Sequence, residues 1–162
     1  MMKLLFSLLL FSSALFAKTY TFSETRYSYA LDSSVILHGL ISFEINSLQI
    51  KYDKSDKRIF YDDSILVVKE NENIIELNPM QTQRIASFLD ILLLLYNNDK
   101  MVLKDKFEIT KKMSQKTLIP KDELKSYLEK IILNESENEL KQVRLILKNS
   151  DTITISIDDE VR

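Results

Sequence analysis

Hydrophobic and polar residues alternate in the first half of this chain and later recur at helical spacing. Residues 35–45, VILHGLISFEI, put Val35, Leu37, Gly39, Ile41, Phe43 and Ile45 on one face and Ile36, His38, Leu40, Ser42 and Glu44 on the other. Successive side chains of a strand point to opposite faces, so this stretch predicts a half-buried strand. Residues 19–29, TYTFSETRYSY, are rich in Thr, Tyr and Phe and predict a strand before it. After a break at Asn46 and Ser47 come LQIKY, RIFY, SILVVKE and NIIELN, short strands parted by KSDK, DD and NEN. Strands this short, joined by tight polar turns, predict an antiparallel meander.

The period then changes. Between Thr82 and Asn98, Ile85, Phe88, Leu89, Leu92, Leu93 and Tyr96 recur at steps of three and four, and Thr82 is placed to cap the helix. Ile91, Leu94 and Leu95 make the helix apolar on nearly every side after Asp90. Such a helix is normally buried all round. A small, mostly β domain is expected to offer too little protein for that, so one helix face should cover the sheet and another should meet something transient. Beyond it, VLKDKFEIT and KKMSQKTLIP predict two strands, Pro120 starts a short helix through KDELKSYL, and IILNES continues as a strand. LKQVRLILK, with Val143, Leu145 and Leu147 on one face, and DTITISID, with Ile153, Ile155 and Ile157 on one face, predict a closing hairpin with its turn at Asn149–Asp151.

Composition adds the compartment. MMKLLFSLLLFSSALFA carries one charge, Lys3, then a short apolar run and small residues, which predicts a secretory signal peptide over residues 1–17, with cleavage after Ala17 or Ala14. Residues 18–162 are then one domain. There is no cysteine, so an oxidising compartment brings no disulfide and there is no thiol to acylate. The net charge of −2 gives no reason to expect nucleic acid or an anionic membrane surface as partner. One glycine in the chain excludes glycine-rich phosphate loops.

Candidate chemistry is sparse. His38 is the lone histidine, with no second histidine or cysteine to complete a metal set or a nucleophile–base pair, and it falls on the mixed face of its strand. Glu24 and Arg26 share a strand face and read as a surface ion pair, with a ligand head group as the other possibility. Glu44 and Lys51 could pair across a hairpin. Asp62 and Asp63 read as a turn, since acid–base work needs carboxylates converging in a cleft. No enzyme, metal or cofactor is expected. What remains is apolar surface, to be read as a cavity for acyl chains or as an ordinary core.

The order of segments narrows this. FSETRYSYAL at 22–31, HGLISFE at 38–44, ILVVKENENIIEL, the apolar helix IASFLDILLLL, KFEI, TLIPKD, LKQVRL and DTITI follow one another. In that order they resemble the outer-membrane lipoprotein carrier proteins of the Gram-negative periplasm, the LolA family, most closely its shorter members. The resemblance covers nearly all of residues 18–162. It implies an α+β fold: a strongly bent antiparallel sheet forming an unclosed half-barrel, with helices as a lid over its concave apolar face. It further implies a periplasmic chaperone that binds the acyl chains of lipoproteins or other lipids. An inner-membrane exporter would be the donor, an outer-membrane protein the acceptor, and the carrier a monomer. Tryptophan, common in that family, is absent, and Ile45 and Asn46 stand where its members carry a lid-latching Arg before a Pro.

On alternation and resemblance together, Leu37, Ile41, Phe43, Ile50 and Tyr52 are the expected cavity walls, and Phe88, Leu92 and Leu95 the lid. Gly39 is expected to mark a bulge or a close approach where the sheet bends, with His38 on the outer face. The alternative is a non-carrier envelope module that docks a partner through the apolar helix.

Overall fold

The computed structural model describes residues 17–161 except 122 and 138. The expected signal peptide therefore lies, but for Ala17, outside the described residues. Strands β1 (Lys18–Ser28), β2 (Ser33–Phe43), β3 (Ser47–Tyr52), β4 (Arg58–Asp62), β5 (Ile65–Glu70) and β6 (Asn73–Ile74) come first. Helices α1 (Pro79–Asn97) and α2 (Lys100–Lys106) follow, then β7 (Phe107–Lys112), β8 (Gln115–Pro120), a 3-10 turn at Glu123–Ser126, β9 (Leu128–Ser136), β10 (Glu139–Leu147) and β11 (Thr152–Glu160). All pair into one unclosed antiparallel sheet in the order β6-β5-β4-β3-β2-β1-β11-β10-β9-β8-β7.

This order determines where the helices go. β6 and β7 are opposite edges of the sheet, yet they are neighbours in the chain, joined only through α1 and α2. The helical segment must therefore cross a face of the sheet. That face is the apolar one: Phe22 lies opposite Gly39 and Ile157, Ile41 opposite Ile50, Ile50 opposite Ile59, and Val143 opposite Ile155. Edge β6 has two residues and edge β7 carries Lys111 and Lys112, both features that discourage edge-to-edge pairing.

Three of the hairpin turns use Asp or Asn in place of glycine, residues that tolerate left-handed backbone better than most. Asp32, Asp63 and Asn71 sit at φ 44, 43 and 49. Asp62 ends β4 and Asp63 opens the turn to β5, so the pair stands at a turn, as the spacing predicts. Gly39 is a close approach but not a bulge, because the β1–β2 register runs through it unbroken. A β-carbon there would lie 2.0 Å from the Lys51 carbonyl oxygen and 3.0 Å from the Phe22 ring. His38 is exposed on the outer face, and its carbonyl accepts from the Asp53 amide at 2.9 Å.

Several local expectations are corrected. Helix α1 starts earlier than Thr82: Asn78 caps it, Pro79 fills the first helical position, and Asn78 and Gln81 exchange side-chain to backbone bonds in a capping box. VLKDK is not strand but the body of α2, capped by Asp99, and the strand begins at Phe107. Pro120 does not start a helix. It ends β8 opposite Phe107, and only the 3-10 turn follows. NIIELN contributes just Asn73–Ile74. Val35 and Ile45 fall on the predicted inward face but are exposed, because the sheet face is uncovered at those ends of β2. The expected shortage of protein around α1 is also overturned: Leu89, Ile91, Leu92, Leu93 and Leu95 are all buried, because the unclosed sheet and α2 together surround this half of the helix.

Candidate functional site

The two halves of α1 differ in how they are held. In the C-terminal half Tyr96 stacks on Phe43 with ring centroids 4.0 Å apart and 4° between planes, and Tyr20 meets both rings edge-on. Asn97 Nδ2 donates to the Ile45 carbonyl at 2.7 Å, and the Tyr61 hydroxyl donates to Asp90. The N-terminal half has no comparable lock among the described residues, and Met80, Gln81, Gln83 and Arg84 are exposed.

Beside this freer half lie two adjoining cavities. The smaller, about 210 Å³, is lined by Ile50, Tyr52, Ile59, Ile85, Phe88 and Leu89 with Glu24, Arg26, Lys57, Arg84 and Ile153. The larger, about 400 Å³, runs toward β10 and is lined by Ile91, Tyr127, Leu145 and Leu147 among others. Arg84, Phe88 and Ile153 line both. A third cavity, about 460 Å³, flanks the helix at Ser87, Asp90 and Leu94 and meets Lys106, Glu123 and Leu124, a more polar wall.

Among the described residues Glu24 is the one buried charged residue, 2 % exposed, which corrects the expectation of a surface ion pair. The alternation of β1 turns Phe22, Glu24 and Arg26 to the concave face, where an unpaired carboxylate would be strongly disfavoured. Two donors satisfy it. Arg26 Nε reaches Oε1 at 2.6 Å and the Tyr52 hydroxyl reaches Oε2 at 2.8 Å. Arg26 Nη2 also approaches the Tyr52 hydroxyl at 3.5 Å. Burial works against the charge on Arg26, but the hydrogen bond and attraction of Glu24 outweigh it and raise its pKa. Glu44 and Lys51 do not pair: Glu44 accepts from the Ser47 hydroxyl at 3.2 Å, and Lys51 lies opposite Leu40.

Three tyrosines that line or lock the site hold their protons unusually tightly. Burial, then Glu24, raises Tyr52; burial, then the bond to Asp90, pushes Tyr61 up to about 12; burial, then Tyr20, raises Tyr96. Their contribution to stability is complete below the ordinary tyrosine value of 10.0, and for Tyr61 it is lost as pH rises toward about 12. Each proton kept by the folded but not the unfolded chain removes about 1.4 kcal/mol per pH unit in that window. The urea midpoint should therefore fall steeply between pH 10.0 and about 12, and Tyr61→Phe should flatten the fall. A midpoint constant across that window would contradict this.

The residues expected at the site separate into distinct places. Ile50, Tyr52 and Phe88 line the smaller cavity. Leu37 is half-buried opposite Glu24. Ile41, Phe43 and Leu92 are buried core residues that line none of the cavities described above. Leu95 faces a cavity of about 300 Å³ beneath α2 instead. Sequence reasoning missed Arg84, Ile59, Ile153 and Tyr127. Arg84 stands one turn before Phe88, and Ile153 alternates with Ile155, so both periodicities pointed to them. No group of three metal-binding side chains occurs among the described residues, and no described helix is long and apolar enough to cross a membrane.

No protein-family model matches this chain, and no curated protein matches it. Among solved structures it is similar to the crystal structure of a LolA superfamily protein from Nitrosomonas europaea. The identity is 10 %, the match covers 92 % of this chain and 87 % of the other, and the TM-score is 0.43. The architecture described above stands on this chain's own strand order.

Proposed function

We propose that this protein is a non-enzymatic carrier that shelters the acyl chains of a lipid or lipoprotein between α1 and the concave face of its sheet. One observation carries the reading: two adjoining cavities, walled largely by aliphatic and aromatic side chains, lie beside the unlocked half of α1. An acyl chain gains about 0.8 kcal/mol for each methylene removed from water, so a walled apolar groove is what such cargo needs in transit. A helix held firmly at one end and loosely at the other supplies a way in and out. The resemblance in segment order supports the periplasm as compartment. It also supports transfer of lipoprotein from an inner-membrane exporter to an outer-membrane acceptor. The docking alternative needs an exposed apolar helix, whereas α1 buries Leu89, Ile91, Leu92, Leu93 and Leu95, which favours the carrier.

Native mass spectrometry with lipid extraction, on protein purified from its own host, tests the proposal. A stoichiometric acylated species is expected, as is uptake of a fluorescent long-chain probe. Lipid-free protein that also refuses the probe would overturn it.

A further inference from the structure

We infer that Arg26, Lys57 and Arg84 form a subsite for an anionic head group, so that the cargo is an acidic amphiphile with its tail along Phe88 and Ile153. The inference rests on the carrier reading above and specifies its cargo. All three cations line the smaller cavity, and the one acidic side chain lining it is Glu24. The formal balance at this mouth is therefore positive, in a chain whose net charge is −2.

The three cations come from three elements. Arg26 is on β1, Lys57 precedes β4 and Arg84 is on α1. Helical and strand periodicity cannot bring them together. They meet only where the sheet and the loosely held half of α1 face each other. Neither Lys57 nor Arg84 forms an ion pair among the described residues. Arg26 is held by buried Glu24 through Nε, while half of its side chain remains exposed and its described bonds leave Nη1 free for the mouth. A buried carboxylate that fixes a guanidinium through Nε and leaves Nη1 open makes a preorganised anion site, because its orientation is settled before the ligand arrives. Glu24 neutralises only one of the three positive charges. A phosphate monoester head restores balance and a carboxylate head halves the excess, while the apolar walls below accept its chain.

The charge arrangement is common to a phosphate ester and a fatty carboxylate, and the test separates them. Three amphiphiles of equal chain length, with phosphate, carboxylate and uncharged hydroxyl heads, are titrated against the full protein by displacement of a neutral acyl probe. The wild type is expected to bind at least one acidic amphiphile about tenfold more tightly than the neutral one. Added salt should erode the difference, as it does for exposed charges. The double variant Lys57→Gln, Arg84→Gln removes two of the three positive charges lining the mouth, and it should bring the acidic ligand's affinity down toward that of the neutral one measured in the same variant. Which acidic head is preferred identifies the source. Equal wild-type binding of all three heads would overturn the anion subsite and leave the carrier reading intact. A preference undiminished in the double variant would overturn the assignment to these residues. Failure of every amphiphile and of the neutral probe would overturn the carrier reading itself.

Discussion

Gly39→Val is expected to destabilise the fold by about 3 kcal/mol, at the upper end for an overpacked core. The position has no room for a side chain: a β-carbon would sit 2.0 Å from the Lys51 carbonyl oxygen on the neighbouring strand and 3.0 Å from the Phe22 ring. Neither obstacle is free to move. The carbonyl belongs to the β2–β3 ladder, in which Leu40 pairs with Lys51 and Gly39 with Tyr52. Phe22 is itself among the largest fully enclosed side chains. A shift large enough to admit valine would displace Tyr52 and with it the hydroxyl that satisfies buried Glu24. The loss should appear in urea unfolding as a lower midpoint with an unchanged slope, and Gly39→Ala should show a smaller part of it. Wild-type stability in the valine variant would show that the close approach is not maintained in solution.

The second large effect concerns binding. Phe88→Asn should weaken uptake of a neutral long-chain acyl probe by at least about tenfold while the protein stays folded. Phe88 is partly buried, lines both adjoining cavities and stands outside the locked end of α1. Removing its ring takes away apolar wall worth roughly 1.5–3 kcal/mol when fully covered, and the amide left behind would be desolvated by the incoming chain. About 1.4 kcal/mol is already tenfold in affinity. Asparagine is uncharged, so the mouth formed by Arg26, Lys57 and Arg84 keeps its electrostatics and the readout isolates the apolar contact. Unchanged probe affinity in a folded variant would place the acyl chain elsewhere.

Much of the β architecture was legible in the residues. The alternation in VILHGLISFEI places Ile41 and Phe43 inward, and both are fully buried. The closing hairpin turns at Asn149–Asp151, where Ser150 takes a left-handed φ of 68 and the Leu147 amide bonds the Asp151 carbonyl at 2.9 Å. The start of α1 was also available: Asn78, Pro79 and Gln81 spell a capping box with proline at the first helical position. Helix α2 was harder, because its seven residues are too few to establish a helical period and only the Asp99 cap marks its start. Burial of Glu24 had only half a local signal. Alternation turns it inward, but the hydroxyl that helps make this tolerable belongs to Tyr52, on another strand.

By itself, then, the sequence determined most of the secondary-structure periods, the inward faces along the middle of β2 and along β10 and β11, and most of the turns. Those properties depend on neighbours within a few positions, where backbone geometry and side-chain spacing decide. The tertiary structure alone decided that β1 pairs with β11 and that the helices cross from one edge of the sheet to the other. It alone brought Arg84 and Phe88 of α1 against Ile153 of β11 to leave an apolar cavity between them. A cavity is the space that packed elements fail to fill. Its position depends on the curvature of the whole sheet and on which half of a helix is locked, and no short-range pattern encodes either.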